Sequence, residues 1–332
     1  MTIGIDASNI RTGGGKNHLI NFINYSLQND PRISFVLVSN SEILSPFKNN
    51  KRVILYTNFF LNSFNILSFV SQLLFSYKYF KDNNCSVVFV PGGIFISRFK
   101  PFFTMSQNMI PFDNETINKF NFINRIKFLF IERLQSRTFL NSSGVIFLNE
   151  YAKQIVLNKI KFNINYKIIK HGVENQSKNN YKFSSQPFKI LYVSDFLPYK
   201  HNFNVAKAVS ELILEGEDIS LTLIGKKDKN ESDKINRLIN SNDLLNNRIK
   251  VLGGLKHKEV LSQYEEASLF LFASTCENQP IIILEALSYG LPIISSNRGP
   301  MKSMISGSNV LFDSYKTESI KEIILKNMNK EK

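Results

Sequence analysis

The sequence predicts an α/β protein built from two Rossmann-like, doubly wound parallel-sheet domains. Three observations predict it. Short β-rich runs alternate with helical patterns along the chain, which is how parallel α/β sheets are written. Several of those runs are almost wholly apolar, as strands covered on both faces are. One polar stretch, ENQSKNNYKFSSQPF from Glu174 to Phe188, interrupts the alternation in a chain of 332 residues. Reading residues 174–187 as a linker leaves a first domain of 1–173 and a second of 188–332, each of ordinary domain size.

In the first half the expected strands are TIGIDA, ISFVLVS, RVILYT, CSVVFVP, FFTMSQ, GVIFLN and YKIIKHGV. In the second they are FKILYVSD, ISLTLIG, RIKVLGG, ASLFLFAS, LPIISSN and NVLFD. Helical stretches such as NVAKAVSELILEG and HKEVLSQYEEA lie between them. Ligands of such sheets bind beyond the carboxyl ends of the strands, so a cleft between two such domains is the expected site. FFLNSFNILSFVSQLLFSYKYF, from Phe59, is long enough to suggest a membrane span. However, Asn65, Ser68, Gln72 and Ser76 recur at helical spacing. An amphipathic helix fits better, with its apolar side on a sheet or on a bilayer surface.

Lys and Arg outnumber Asp and Glu by 41 to 27, a net charge of +14. That favours an anionic partner, or else reflects a genome rich in Lys, Asn and Ile codons. Nucleic acid suits the charge but no nucleic-acid motif appears, so none is expected. Cys85 and Cys276 sit far apart in apolar surroundings, which fits a reducing cytoplasm rather than a disulfide framework. The four histidines have no metal-ligand spacing, and no metal is expected. MTIGIDAS runs straight into a strand, with no signal peptide to be read.

The chemistry concentrates in CENQPIIILEALSYGLP. Glu277 lies in the turn after ASLFLFAST, Pro280 suits the first helical position, and Gly290 is a natural stop. The amides of Ile281, Ile282 and Ile283 then lack intrahelical partners and point out of the positive helix end, a seat for a phosphate or diphosphate. Glu285 falls roughly 7.5 Å further along the axis. Carboxylates repel phosphate but accept from hydroxyls, so the pair suits hydroxyls on either side of a diphosphate. A sugar nucleotide has that form, with Glu277 on the sugar and Glu285 on the ribose. The plainer alternative is a solvated loop acid and a half-buried helix acid beside a basic neighbour.

Nearly the whole chain, and Phe188 to Phe312 most strongly, resembles the retaining family-4 glycosyltransferases of the two-Rossmann GT-B fold. The residues that carry the likeness are the Glu-seven residues-Glu pair Glu277 and Glu285, with Ala286, Gly290 and Pro292. The likeness is greatest to bacterial O-antigen and capsular polysaccharide enzymes, through LYVSDFLPYKHN and QNMIPF. It implies Glu277 and Lys200 as catalytic residues, Lys200 gripping the donor diphosphate as a compact cation. It implies donor contacts from Glu285, Pro280, Ile281, Ile282, Ser194, Gly225 and Val251. It also puts the glycine loop of Gly13, Gly14 and Gly15 against the donor phosphates or the acceptor. Read without the family, that loop is equally a plain strand-to-helix turn. Gly225 likewise is equally a strand-end turn.

Four departures stand out. Ser194 and Asp195 occupy positions where relatives often carry an arginine. Gln107 and Asn108 stand where many have a histidine on the sugar, and either amide can contact sugar or acceptor without acting as a base. Lys302 and Ser303 replace a frequent glutamate, and the chain looks short after ESIKEIILKNMNKEK.

The expectation is a retaining, metal-independent hexosyltransferase needing no cofactor beyond a nucleoside-diphosphate-sugar donor. Its acceptor would be a bacterial glycan, lipid-linked or free. It would be cytoplasmic, at the inner face of the cell membrane if KFNFINRIKFLFIERLQSRTF, from Lys119, lies on anionic lipid rather than exposing a solvated basic side. The rival readings are a non-catalytic sugar-nucleotide-binding protein and a sugar-nucleotide epimerase.

Overall fold

The computed structural model describes residues 1–11, 14–63, 67–173, 187–305, 307 and 310–328. Two compact units emerge. One comprises Met1–Ile117 and Asn121–Lys170; the other comprises Asn118–Phe120 and His171–Lys332. Residues 174–186 of the expected linker lie outside the described residues.

The first unit holds a parallel sheet of β1 (Thr2–Asp6), β2 (Ser34–Val38), β3 (Val53–Tyr56), β4 (Val87–Val90), β5 (Phe102–Met105), β6 (Gly144–Phe147) and β7 (Tyr166–Ile168). Their order is β3-β2-β1-β4-β5-β6-β7. The second unit holds β8 (Phe188–Val193), β9 (Ile219–Ile224), β10 (Ile249–Leu252), β11 (Leu269–Phe272), β12 (Ile293–Ser296) and β13 (Leu311–Phe312), ordered β10-β9-β8-β11-β12-β13. Every strand falls within a run expected from the sequence. Each sheet grows outward from its first strand in both directions, which is the doubly wound topology. The order reverses between β1 and β4 in one sheet and between β8 and β11 in the other.

Apolar runs become central strands because both faces are covered. In β2, Phe35 and Leu37 join one core with Ile5, Leu19 and Ile23. Val36 and Val38 point the other way, to a core with Phe80, Val88 and Phe102. Alternate residues face opposite sides of a strand, so one segment supplies both layers. Each fully buried side chain of this size contributes about 1.5–3 kcal/mol. The second unit has one large core in which β8, β9 and β11 are almost entirely buried.

Asparagine starts many helices. Asn40, Asn58, Asn121, Asn149 and Asn242 each accept a backbone N–H in the first turn through the side chain. Such caps are each worth about 1 kcal/mol. The C-terminal helix, Thr317–Met328, packs on the helix Asn202–Leu214. Lys321 ties the two through Glu215 at 2.6 Å and Glu211 at 3.4 Å. Cys85 and Cys276 are free and buried, and burial pushes the Cys85 thiol up to about 11.

In the middle of the Phe59 stretch one of the two expected placements, the apolar side on a sheet, is reversed. The Phe59 stretch is helical over Phe59–Asn62, Leu67–Ser71 and Tyr77–Asp82, with a π-helical turn at Gln72–Ser76. Ser68, Gln72 and Ser76 of its polar stripe face inward and are buried, as is Ser71, whereas Leu73 and Leu74 are exposed. The cause is Asp6, a fully buried carboxylate at the end of β1 that needs donors. It accepts from Ser8 Oγ at 2.6 Å, Ser76 Oγ at 2.8 Å and Gln72 Nε2 at 3.1 Å. Asn65 of the stripe lies outside the described residues.

Candidate functional site

In the second unit the carboxyl ends of β8 and β11 flank the switch point. The loop after β8 makes a short 3₁₀ turn, Pro198–Lys200, and His201 then takes a left-handed backbone, φ 54°. The turn leaves Lys200 beside the end of β11, with its ammonium near the Phe272 ring. The loop after β11 runs from Ala273 to Pro280. The two loops are stitched together: Thr275 N–H donates to the Tyr199 carbonyl at 2.9 Å, and Thr275 Oγ1 meets His201 Nε2 at 3.2 Å.

The stitching presents Lys200 to Glu277. Lys200 Nζ and a Glu277 carboxylate oxygen form a close ion pair, with side chains only 12% and 14% exposed. The ammonium also lies 5.2 Å from the Tyr199 ring centre and 5.5 Å from that of Phe272, within reach of a cation–π contact. Tyr192 Oη donates to the Lys200 carbonyl at 2.5 Å. Burial, and then the charge of Glu277, raise the Tyr192 and Tyr199 phenols above their ordinary range, so both stay neutral donors.

The following helix spans Ile281–Ser288, with Pro280 as its cap rather than its first residue. Gly290 ends the run at φ 73°. The Ile281 and Ile282 amides precede the first full helical hydrogen bond. Ile283 does not join them, because its N–H donates to the Pro280 carbonyl at 3.2 Å. Such i→i+3 bonds commonly tighten the end turns of helices.

Glu285 is oriented by a neighbouring helix, His257–Glu266. One of its oxygens is 2.8 Å from His257 Nε2, and the other accepts from Tyr264 Oη at 3.1 Å. Burial and then Glu285 hold the Tyr264 phenol well above its usual range, so it remains a donor. Sequence reading missed both partners. The available signal was their spacing, seven residues on one helix, which puts them on the same face two turns apart.

Ser194 is buried at the end of β8 and accepts from Asn202 Nδ2 at 3.1 Å. Gly225 ends β9 beside it. A Cβ there would sit 2.0 Å from the Ser194 carbonyl oxygen, so the close approach that demands glycine is to the neighbouring backbone. Asp195, in place of an arginine, accepts the Lys226 N–H at 3.0 Å and fastens the same two loops. Val251 lies in the edge strand β10, in register with Leu223 of β9. Gly253 and Gly254 follow it with open space around their Cα atoms.

In the first unit the switch point lies between β1 and β4. Gly14 and Gly15 open the helix Gly14–Asn29 after β1, and Gly13 lies outside the described residues. Gln107, beyond β5, comes to this loop: its Oε1 is 3.3 Å from where a Gly15 side chain would begin. Asn108 is used locally, its Oδ1 accepting the Ile110 N–H at 3.1 Å. Among the described residues no group of three or more His, Cys, Asp or Glu is placed to hold a metal ion.

A cation beside a carboxylate, ahead of a helix entrance and flanked by a second oriented carboxylate, can hold an anion with hydroxyl groups around it. The fold points the same way. A glycosyltransferase from Rickettsia africae ESF-5 matches with a TM-score of 0.71 at 17% identity, over 99% of this chain and 88% of that one. The Anabaena protein HepE in complex with UDP and glucose matches with a TM-score of 0.71 at 17% identity, over 100% and 90%. The apo form of WaaB, a lipopolysaccharide outer core galactosyltransferase, matches with a TM-score of 0.65 at 15% identity, over 100% and 91%. At such identities the likeness is one of fold: the chain has the two-sheet α/β architecture of these enzymes. In sequence, residues 173–332 match the family described as Glycosyl transferases group 1, and that region contains Lys200, Glu277 and Glu285. No match to a curated protein sequence was found.

Proposed function

We propose that the protein is a retaining glycosyltransferase that moves a sugar from a nucleoside-diphosphate donor to a bacterial surface glycan, lipid-linked or growing free. The observation that carries this reading is the Lys200–Glu277 ion pair at the β8/β11 switch point, within the region that matches the glycosyltransferase family. Lys200 and the amides of Ile281 and Ile282 would take the diphosphate. Glu277 would release Lys200 and accept from hydroxyls of the transferred sugar. Glu285, held by His257 and Tyr264, would accept from the ribose. Catalysis on this reading is positioning, together with stabilisation of charge on the departing diphosphate. The leaving group itself helps take the acceptor proton, so no protein nucleophile, cofactor or metal is required. In the first unit, Gln107 and the Gly14–Gly15 turn would contact sugar or acceptor. HepE bound to UDP and glucose supports a nucleotide-sugar donor, and WaaB supports a surface-glycan acceptor. The reaction would be cytoplasmic, at the inner membrane face where the acceptor is lipid-linked.

The test is turnover of UDP-, GDP- and ADP-sugars with a lipid-linked acceptor, in wild type, Lys200→Ala and Glu277→Gln. Each variant is expected to lose about 100-fold or more in kcat with its fold intact, and EDTA is expected to leave the wild-type rate unchanged. Donor binding without turnover in the wild type, or full activity in Glu277→Gln, would overturn the assignment.

A further inference from the structure

The Phe59–Asp82 region has the opposite polarity to a helix made to face water. Ser68, Ser71, Gln72 and Ser76 are committed inward. Gln72 alone donates to Asp6 at 3.1 Å, to Ser8 Oγ at 2.7 Å and to the Ile94 carbonyl at 3.0 Å, and accepts the Ile96 N–H at 3.2 Å. Rotating the segment to hide its apolar side would strand a fully buried acid. The outer face is therefore greasy by construction: Leu73 is 65% exposed, Leu74 58% and Phe59 76%. Cations border it. Lys78 and Lys81 are exposed, and Arg98 lies 4.8 Å over the Tyr77 ring.

A second face of the same kind lies beside it in the same unit. The helix Phe122–Asn141 is anchored by its later turns, where Thr138 Oγ1 accepts the Phe95 N–H at 2.9 Å and Gln135 packs against Gly93. The run 93–96 is thus held by Gln72 from one helix and by Gln135 and Thr138 from the other. The earlier turns of the second helix carry Phe122, Ile123, Ile126 and Phe130, exposed at 74%, 77%, 53% and 53%. Lys127, Arg133 and Arg137 are exposed on the same helix.

We propose that these two helical faces form one docking surface for an anionic lipid bilayer. The choice of a bilayer over a protein rests on how charge and grease are mixed. The core of a protein interface is depleted of lysine, whereas here cations alternate with protruding apolar side chains. A bilayer accepts that mixture: Leu and Phe enter the acyl boundary while Lys and Arg reach up to lipid phosphates. The net charge of +14 complements an anionic leaflet. Among the described residues no helix is long and apolar enough to cross a membrane, so the contact lies in the plane of the interface. The proposal deepens the transferase reading by stating where a lipid-linked acceptor is met, and rests on it only for that link.

The full chain is tested by sedimentation with phosphatidylcholine vesicles, with and without phosphatidylglycerol. Binding is expected only with the anionic lipid. Leu73→Asp with Leu74→Asp is expected to weaken it by about tenfold or more. Lys127→Ala with Arg133→Ala is expected to weaken it by about tenfold, and added salt to do the same. The chain has no tryptophan, so Leu74→Trp gives a single reporter whose emission shifts to the blue as it enters lipid. Wild type that ignores anionic vesicles, or a Leu74→Trp signal unmoved when the protein is bound, overturns the proposal. So does a wild-type dimer that the Leu73 and Leu74 changes dissolve, since the face would then belong to a second copy. Vesicle binding by a protein that turns over no donor would sink the transferase reading and leave this one standing.

Discussion

A glycine and a carboxylate show how much single residues decide here. At Gly225 a Cβ would lie 2.0 Å from the Ser194 oxygen and 2.9 Å from the Asp195 nitrogen, both backbone atoms that cannot swing aside. Gly225→Ala is expected to cost about 3 kcal/mol or more in urea unfolding, whereas Gly254→Ala, with open space around it, is expected to change stability by less than about 1 kcal/mol. Asp6 gives a pH signature. Burial raises its carboxyl above the usual 3.8, outweighing the hydrogen bonds from Ser8, Ser76 and Gln72. A group whose pKa is raised on folding contributes most below its unfolded value, and loses that contribution as pH climbs through the raised value. Asparagine does not titrate. The stability of Asp6→Asn relative to wild type is therefore expected to improve as pH rises above the ordinary carboxyl value of 3.8, and a difference that moves the other way would contradict the assignment. Glu277 could be named from the turn and helix-start residues around it, and Lys200 from the family resemblance alone. Their pairing could not, because it depends on a 3₁₀ turn and a left-handed His201 that no local pattern announces. Asp6 was overlooked for a related reason: its importance comes from donors nearly seventy positions away, Gln72 and Ser76.

At the scale of elements, the strands were legible because central parallel strands are continuous apolar runs, and few other segments of a soluble chain are. The helices were less so. Periodicity reports that a helix has two faces; it does not say which one is inside. In the Phe59–Asp82 region the buried acid decides, and it reverses the usual assignment. The His257–Glu266 helix offers a test of how one element serves another. Tyr264 Oη and His257 Nε2 orient Glu285 from two turns of a helix that supplies no other expected donor contact. Tyr264→Phe removes one hydrogen bond to a carboxylate, worth about 1.5–3 kcal/mol. It is therefore expected to weaken binding of the nucleoside diphosphate by about tenfold or more in calorimetry while leaving kcat within about twofold. A collapse of kcat with unchanged affinity would show that Glu285 does not contact the nucleotide half of the donor.

On the scale of the whole molecule, both sheets were readable as doubly wound and the chain as two halves, because the alternation of strand and helix covers it from end to end. Residues 118–120 were beyond that reading. They lie in the middle of the first half, yet they pack in the second unit. Lys119 Nζ reaches Thr275 Oγ1 at 3.3 Å and Tyr315 Oη at 2.5 Å, and Phe120 meets the Tyr199 ring with centroids 6.3 Å apart. Nothing local in NKFN marks a segment that leaves its own domain. Thr275 and Tyr199 belong to the stitched loops that carry Glu277 and Lys200, so this excursion supports the proposed donor site from outside its own stretch of sequence.

That excursion gives the chain an unusual topology for a split protein. A polypeptide cut to begin after the polar stretch would lack that segment, and is expected to melt at a lower temperature than the same unit does within the whole chain.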